Sequence, residues 1–352
     1  MTNMLLWVLM RVMRMLPDRA PRKLPSTRSI GVALRILLCI LACAIASYLV
    51  RAQAPAPATQ AESAQPGVKS ILRIYDLKTK RGAVLATFDG FYEAPYWSHD
   101  GSYIYYNGGP DQKIYRMLAS GGGAELVDVG DIQVVHDHGF SPDGKWHAVN
   151  TGKTFQLCLS TASGKDLHPI GTPGNPLYLH HWSPDSHWMA GARISPEKNF
   201  DVYRISLDGD EQRLTTSPAL DDGPDYSPDG KWIYFNSDRA GSFDVWRMPA
   251  TGAGPGDKLA EQITSDPAED WFPHPSPDGK WLLLLSYAPG TKLHPSNMDV
   301  TIRIRALPGN KVDAVEIRDL VHLVGGQGSM NLNSWSPDSQ KFAYMSYEVL
   351  TR

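Results

Sequence analysis

Hydrophobic and polar positions alternate in a unit that recurs six times between Trp97 and Tyr344. Each unit has an aromatic residue or proline, a turn related to Ser-Pro-Asp-Gly, and a short run that is largely apolar. The six units are WSHDGSYIYY from Trp97, FSPDGKWHAV from Phe140, WSPDSHWMAG from Trp182, YSPDGKWIYF from Tyr226, PSPDGKWLLL from Pro275 and WSPDSQKFAY from Trp335. Their turn serines are spaced by 43, 42, 44, 49 and 60 residues. A period just over forty is typical of one four-stranded propeller blade.

The chemistry of the turn supports this interpretation. Proline presets φ at the second turn position, aspartate bonds its own backbone, and glycine accepts the positive φ that ends the turn. The turn therefore predicts a hairpin of two antiparallel strands. A second hairpin follows about ten residues later, as in KIYRMLASGGGAELV, FQLCLSTASGKDLHPI, FDVYRISLDGDEQRLT, FDVWRMPATGAGPGDKLAEQIT and DVTIRIRALPGNKVDAVEIRDL. Each blade is predicted to have the turn hairpin inside and this second hairpin outside.

The order of the hairpins predicts how the ring closes. A sixth outer hairpin, SILRIYDLKTKRGAVLATF at residues 70–88, precedes the first turn unit, and no outer hairpin follows the last unit. The N-terminal hairpin should therefore complete the C-terminal blade and remove an exposed edge. The predicted fold is all-β, a six-bladed β-propeller of four-stranded blades over residues 70–352.

The first 52 residues have a different pattern, in which basic residues precede an uncharged apolar run from Ile36 to Val50. This order is typical of an export signal, with cleavage expected after Ala52. The alternative is a retained anchor, because residues 30–50 are long enough to span a bilayer if Arg35 lies at its edge. The Pro/Ala-rich residues 53–69 are predicted to be a linker. The protein is expected to be exported to the periplasm, and to touch a membrane only through an uncleaved N-terminal segment anchored in the inner membrane.

Charge and cysteine content exclude some classes of partner and stabilisation. Residues 53–352 hold 26 of the 34 basic residues and 36 of the 37 acidic residues. This acidic balance argues against a nucleic-acid partner. Cys39 and Cys43 lie in the N-terminal segment, which leaves Cys158 alone. No internal disulfide can form in the exported domain, so packing must hold it together.

The SPDGKW repeats over residues 70–352 resemble those of the TolB-like six-bladed propellers, a family named after the periplasmic component of the Tol envelope system. The resemblance implies the same fold and a partner in the cell envelope. TolB also has an N-terminal α/β domain, for which the 17 residues between the predicted cleavage site and the first strand are too few. Related propellers precede hydrolase domains, but no GxSxG elbow occurs in this sequence.

Residues just before each turn are predicted to line the central channel. Two residues before the aromatic or proline position lie Pro95, His138, His180, Pro224, Pro273 and Asn333. Four residues before it lie Glu93, His136, Tyr178, Asp222, Trp271 and Asn331. Both columns should share one face because strand side chains alternate with period two. The intervening column adds Tyr96, His181, Asp225 and His274.

The inner strands should begin at the channel mouth where the loops between inner and outer hairpins emerge. Loop residues expected there are Asn107, Asp111, Arg193, Lys198, Asp238, Arg239, His294, Asn297 and Gln327. Loops on a rigid scaffold commonly carry function, so we expect this mouth to bind. For Arg239 two roles remain open, an ion pair with a neighbouring carboxylate or a grip on an anionic ligand.

Three interpretations of the channel histidines remain open. They are solvated or bonded to backbone, they hold a divalent metal, or they belong to a sugar or peptide cradle with aromatic stacking platforms. The candidate metal ligands, for manganese, zinc or calcium, are Gln133, His136, His138, His180 and His274. The candidate ligand-binding residues are Tyr96, His136, His138, Tyr178, His180, Asp222, Arg239, Trp271, His274, Gln327 and Asn331.

The metal interpretation also rests on a second resemblance. Gln133, His136 and His138 have a QxxHxH spacing similar to the metal-binding segment of oligogalacturonate lyases, which are larger propellers. The resemblance implies a bound cation that acidifies a uronate α-proton. Two functions therefore stay open: an envelope scaffold that binds a protein or an oligosaccharide, and a metal-dependent carbohydrate-active enzyme.

Overall fold

A computed structural model describes residues 67–307 and 316–350, and within these residues the chain forms six antiparallel sheets. The predicted signal or anchor and the linker up to residue 66 lie outside the described residues. The first strand begins at Val68, so residues 68 and 69 belong to a strand and not to the linker. In the described ranges helix is confined to two short 3-10 turns, Gly152–Thr154 and Pro255–Asp257, and no helix is long and apolar enough to cross a membrane.

The strands follow the chain blade by blade, from the channel outward. The N-terminal hairpin is β1 (Val68–Asp76) and β2 (Arg81–Asp89). Blade 1 is β3 (Tyr92–Trp97), β4 (Tyr103–Gly108), β5 (Lys113–Leu118) and β6 (Glu125–Leu126). Blade 2 is β7 (Val134–Phe140), β8 (Trp146–Thr151), β9 (Gln156–Thr161) and β10 (His168–Pro169). Blade 3 is β11 (Tyr178–Trp182), β12 (Trp188–Ile194), β13 (Phe200–Ser206) and β14 (Glu211–Arg213).

The last blades complete the ring. Blade 4 is β15 (Asp221–Tyr226), β16 (Trp232–Ser237), β17 (Asp244–Pro249) and β18 (Glu261–Gln262). Blade 5 is β19 (Glu269–Pro275), β20 (Trp281–Tyr287), β21 (Met298–Ala306) and β22 (Arg318–Gly325). Blade 6 combines β23 (Lys341–Val349) with the N-terminal hairpin.

Ring closure is formed by β1, which lies between β2 and β23. The pairing of β1 with β23 is antiparallel from Val68 opposite Val349 to Asp76 opposite Lys341. On the channel side of β23, a single bridge joins Trp335 to Phe342 and takes the place of an inner strand. The predicted six-bladed fold and its closure by the N-terminal hairpin are confirmed.

The turn before each second strand is held by its serine and aspartate. In blade 4 the Ser227 hydroxyl donates to Asp229 Oδ1 at 2.7 Å and accepts the Trp232 N–H at 2.9 Å. Asp229 Oδ1 also accepts the backbone N–H of Lys231 at 3.1 Å. The serine-to-aspartate bond recurs in all six units at 2.5 to 2.7 Å. The repeated sequence therefore encodes a turn held by its own residues, and in two cases a serine of the next turn adds a bond, from Asp143 N–H to Ser186 Oγ and from Asp278 N–H to Ser339 Oγ.

Apolar side chains form the contacts between blades. Leu72 and Met345 of blade 6, for example, pack with Ile104 and Tyr106 of blade 1 in one buried cluster. Equivalent clusters join the other neighbouring blades. Burying a side chain of this size contributes about 1.5–3 kcal/mol. Cys158 is a buried free thiol in the cluster between blades 1 and 2, as expected from a chain held by packing.

Candidate functional site

The channel has two ends, which differ in what surrounds them. At the loop mouth the inner strands β3, β7, β11, β15 and β19 begin. At the turn mouth the same strands end in the Ser-Pro-Asp-Gly turns. In blade 6, residues 326–333 take the inner position, and this inner segment contacts both neighbouring blades. Its Gly328 carbonyl accepts the N–H of Ala94 in blade 1, and its Met330 carbonyl lies 2.7 Å from His274 Nε2 in blade 5.

Each of the five inner strands just named contains a register shift of its own. The shifts lie between Glu93 and Tyr96, Val134 and His138, Leu179 and His181, Asp222 and Asp225, and Trp271 and His274. Left-handed backbone occurs in four of these strands, at Ala94, His136, Gly223 and Phe272. A bulge interrupts the alternation of side chains. The prediction that the two residue columns share one face of each strand is therefore wrong.

The loop mouth contains a histidine bound to a carboxylate. His136 Nδ1 lies 3.2 Å from Glu93 Oε2, and the His136 N–H donates to Glu93 Oε1 at 3.1 Å. Asn107 Nδ2 donates to the same oxygen at 3.4 Å. Gln327 Nε2 lies 3.5 Å from His136 Nδ1. The structure thus brings together His136 and Gln327, both predicted site residues, and Glu93 binds His136 and Asn107.

A second histidine and carboxylate pair lies beside it. His180 Nε2 is 3.1 Å from Asp222 Oδ1, and His294 Nε2 is 3.5 Å from Asp222 Oδ2. Burial lowers the pKa of His180, but Asp222 and the charge of Asp137 outweigh burial and raise that pKa to about 9. Burial raises the pKa of Asp137 to about 6, against the effect of the nearby imidazoles. His180 is therefore a cation at neutral pH, held among carboxylates.

The loop that carries His294 folds over this end of the channel. It comprises residues 288–297 between β20 and β21. The His294 ring meets Trp271 edge-on at a centroid distance of 4.5 Å, and Tyr287 Oη donates to the Pro295 carbonyl at 3.1 Å. The Gln327 N–H lies 3.4 Å from the same carbonyl. The loop mouth is thus lined by this loop and by the start of the inner segment of blade 6.

Deeper in the channel, Asp225 is the centre of a buried network. Its Oδ2 lies 2.9 Å from His274 Nδ1 and accepts Asn333 Nδ2 at 3.0 Å. Its Oδ1 lies 2.9 Å from His181 Nδ1. Burial opposes ionisation of Asp225, but His181 and His274 outweigh burial and hold its pKa well below the usual value. Asp225 is therefore a buried carboxylate with three side-chain partners from blades 3, 5 and 6.

At the turn mouth a cavity of about 300 Å³ opens along the axis. Two rings of residues, each with one member from every unit, line it. The inner ring is Trp97, Phe140, Trp182, Tyr226, Pro275 and Trp335, and the outer ring is His99, Pro142, Pro184, Pro228, Pro277 and Pro337. Tyr96, His138, His180, His181, Leu332 and Asn333 lie further in. The cavity therefore has an apolar wall and a polar floor.

The predicted metal ligands are not brought to one point. Gln133 is exposed before β7, and His136 lies at the loop mouth. His138 is buried against Tyr96 and His147, with ring centroids at 5.2 and 6.2 Å, and burial lowers its pKa well below the usual value. No group of three histidine, cysteine, aspartate or glutamate side chains suited to a metal occurs in the described part of the chain. A bound divalent cation stays a prediction.

Three other predicted site residues have structural surroundings. Trp271 is fully buried and packs against Phe243, so it offers no stacking face to a ligand here. Tyr178 is half-buried between Phe155 and Phe200. Arg239 forms ion pairs with Asp221 at 2.8 Å and Asp257 at 3.2 Å. Of the two roles open for Arg239, the structure provides the ion pair.

Two features of the channel do not follow from the sequence pattern. Asp137 lies between His136 and His138 in the sequence, and alternation along a strand would point its side chain away from theirs. Because of the bulge at His136, it lies instead among carboxylates and imidazoles. The turn-mouth cavity was missed because its rings consist of residues assigned to the repeat itself. One signal was present in the sequence, since His99 is the only non-proline at that turn position.

Comparison with known proteins gives consistent matches over the propeller. The profile of PD40, described as the TolB beta propeller domain, matches residues 174–304. An uncharacterized protein from Agrobacterium fabrum is 38% identical over 294 residues, which cover 81% of this chain and 95% of that protein. A solved TolB candidate from Agrobacterium tumefaciens is 36% identical, with a TM-score of 0.72, and the match covers 80% of this chain and 99% of that one.

A third relative has an established name. The Tol-Pal system protein TolB of Bordetella pertussis is 34% identical over 156 residues. The match covers 32% of this chain and 35% of that protein. The chain thus spans about a third of the length of that relative, and the resemblance is confined to part of the repeats.

Proposed function

Because the chain belongs to the TolB-like family of six-bladed β-propellers, we propose that it is an exported binding scaffold of the cell envelope. Its partner is a protein, and the partner docks on the turn mouth. The observation that carries this proposal is the cavity of about 300 Å³ with two apolar rings and a polar floor. Concave, mostly apolar sites with a few convergent polar groups are the usual form of binding sites.

Export is supported by the N-terminal pattern of basic residues followed by Ile36 to Val50. A protein partner is supported by the name of the Bordetella pertussis relative, which belongs to the Tol-Pal system. We place the docking site at the turn mouth and not at the loop mouth that the sequence favours, because the loop mouth is lined by residues 288–297 and by the inner segment of blade 6, whereas the turn mouth opens into the cavity. The full role of that relative is not assigned to this chain, because the match covers about a third of the relative's length.

The proposal is tested by site-specific photo-crosslinking of the full chain in its native cells. A photoreactive amino acid replaces His99, an exposed residue of the outer ring, and in a matched variant it replaces Leu126 on the outer strand β6. We expect a discrete protein adduct from the His99 position, recovered in the periplasmic fraction, and none from the Leu126 position. Equal adducts at both positions, or a cytoplasmic adduct, would contradict the proposal.

A further inference from the structure

The floor of the turn-mouth cavity, at His181 and Asn333, rests on a buried carboxylate, that of Asp225. Asp225 faces His181, His274 and Asn333 at 2.9 to 3.0 Å. The two ring nitrogens of His274 lie beside the Asp225 carboxylate and the Met330 carbonyl, at 2.9 and 2.7 Å. Both of these groups accept hydrogen bonds, so the ring of His274 is held between two acceptors.

His181 adds a second imidazole to the same carboxylate. Burial lowers the pKa of His181, but the charge of Asp225 outweighs burial, and the pKa lies above the usual value. His99, which also lines the cavity, has its pKa lowered by partial desolvation at the rim. The carboxylates at the other end of the channel, Glu93 and Asp222, face imidazoles of their own. Of the imidazoles at the floor, His181 is thus one whose protonated form a carboxylate favours.

The exposed edge of His181 faces the cavity. Its Nδ1 is buried against Asp225, while the side chain as a whole is 34% exposed. The part of the ring in reach of a ligand is therefore the Nε2 edge, opposite Asp225. Because the ring is oriented by a carboxylate on one side, it can donate a charge-assisted hydrogen bond on the other.

The residues that line the cavity wall determine which other chemical group the ligand must have. Tryptophan, phenylalanine and proline side chains surround the cavity at both rings. A volume of about 300 Å³ is at the lower end of the range for small-molecule sites, so it takes a group the size of one aromatic side chain. An apolar body fits the walls, and an anionic tip fits the floor.

We propose that the turn-mouth cavity binds an apolar group bearing a carboxylate, with the carboxylate directed at His181. This inference rests on the binding role proposed above and specifies its ligand chemistry. Such a group is available from a free aromatic acid or from the C-terminal residue of a partner protein. Both sources supply a carboxylate on an apolar group. They differ in whether that group is a free molecule or the end of a protein chain.

The test is a titration of the full chain, followed by tryptophan fluorescence because Trp97, Trp182 and Trp335 line the cavity. The probes are 3-phenylpropanoate, its neutral amide, and a short peptide ending in phenylalanine with either a free or an amidated C-terminus. We expect each acid to bind roughly tenfold or more tightly than its amide, because a charge-assisted bond is about twice as strong as a neutral one. The His181→Gln variant should reduce that ratio to about one.

The His187→Gln variant is the matched control, since His187 is an exposed histidine on the turn of the same blade, outside the cavity. It should keep the wild-type ratio. Asn333→Asp is a second variant that adds a carboxylate to the floor, and it should weaken binding of the acids while the amides bind as before. Near-ultraviolet circular dichroism checks that both cavity variants are folded.

The outcomes separate the sources and the two proposals. A preference for the acid with both probe types identifies any apolar carboxylate as a ligand, and a preference with the peptide alone identifies a chain terminus. Equal binding of acid and amide, an unchanged ratio in His181→Gln, or no binding of any probe would overturn the inference. If the His99 position forms adducts but acid and amide bind equally, the scaffold proposal is supported and the inference of a carboxylate ligand is refuted.

Discussion

Histidines in this channel have two kinds of surroundings. His180, His181 and His274 lie beside carboxylates, whereas His138 and His147 lie among aromatic rings. The sequence places most of them correctly, because they fall in the strand before a turn. It cannot sort them by surroundings, because the bulges change which way each side chain points and the partners of Asp225 come from three different blades. The sequence therefore predicts which residues line the channel, but it does not predict which histidine lies beside which carboxylate.

For single residues, we predict that His147 makes the stability of the fold sensitive to acid. Burial lowers the pKa of His147 to about 3, so below pH ~6.5 the unfolded chain binds a proton that the folded chain does not. Stability is therefore present above that pH and falls as pH decreases. Relative to His147→Phe, the wild type should lose about 1.4 kcal/mol more per pH unit between pH 6 and pH 4, measured by urea unfolding.

The comparison with a variant is needed because Asp137, with its pKa raised to about 6, binds a proton in the folded chain first and so has the opposite effect on stability as pH falls through the same range. His187→Phe changes an exposed histidine and serves as the control, with a pH dependence like that of the wild type. Parallel curves for wild type and His147→Phe would refute the assignment of acid sensitivity to this residue.

The turn and the bulge show what the sequence reveals about single elements. The turn was predictable because serine, proline, aspartate and glycine each have a local function in it. The bulge was not, because the left-handed positions Ala94, His136 and Phe272 are not glycines and give no signal of their conformation. Gly223 alone hinted at the bulge in blade 4.

For the turn we predict that Ser227→Ala lowers the free energy of unfolding by about 1–3 kcal/mol. The change removes the acceptor for the Trp232 N–H and the donor to Asp229, in a residue that is 6% exposed. Urea unfolding measures the loss. Ser120→Ala, at an exposed position, should stay within about 0.5 kcal/mol of the wild type. An equal effect of both changes would show that the hydroxyl has no special role in the turn.

For the whole molecule, counting hairpins was sufficient to predict the closed ring. One feature escaped this count, namely the path of residues 326–333 in blade 6. No regular strand marks these residues, and what holds them is contact with blades that are distant in sequence, such as the bond from Ala94 to Gly328. Long-range contacts of this kind have no local pattern.

The closure itself predicts where the ring is sensitive to mutation. Leu72→Ala, in the middle of β1 and fully buried, should lower the free energy of unfolding by roughly 2–5 kcal/mol, because the cavity weakens the contact of blades 6 and 1. Val84→Ala on β2 of the same hairpin, where Val84 is 55% exposed, should have an effect below about 0.5 kcal/mol. Guanidinium unfolding would contradict the prediction if both changes had the same small effect.

The segment at residues 326–333 also links the cavity to the closure of the ring. It bonds to blade 1 through Gly328 and lies against blade 5 through Met330, and Leu332 and Asn333 face the cavity. A ligand in the cavity therefore touches the blade in which the two ends of the propeller chain meet. A partner seated there would hold the first and last blades together, so its binding would oppose opening of the ring at that joint.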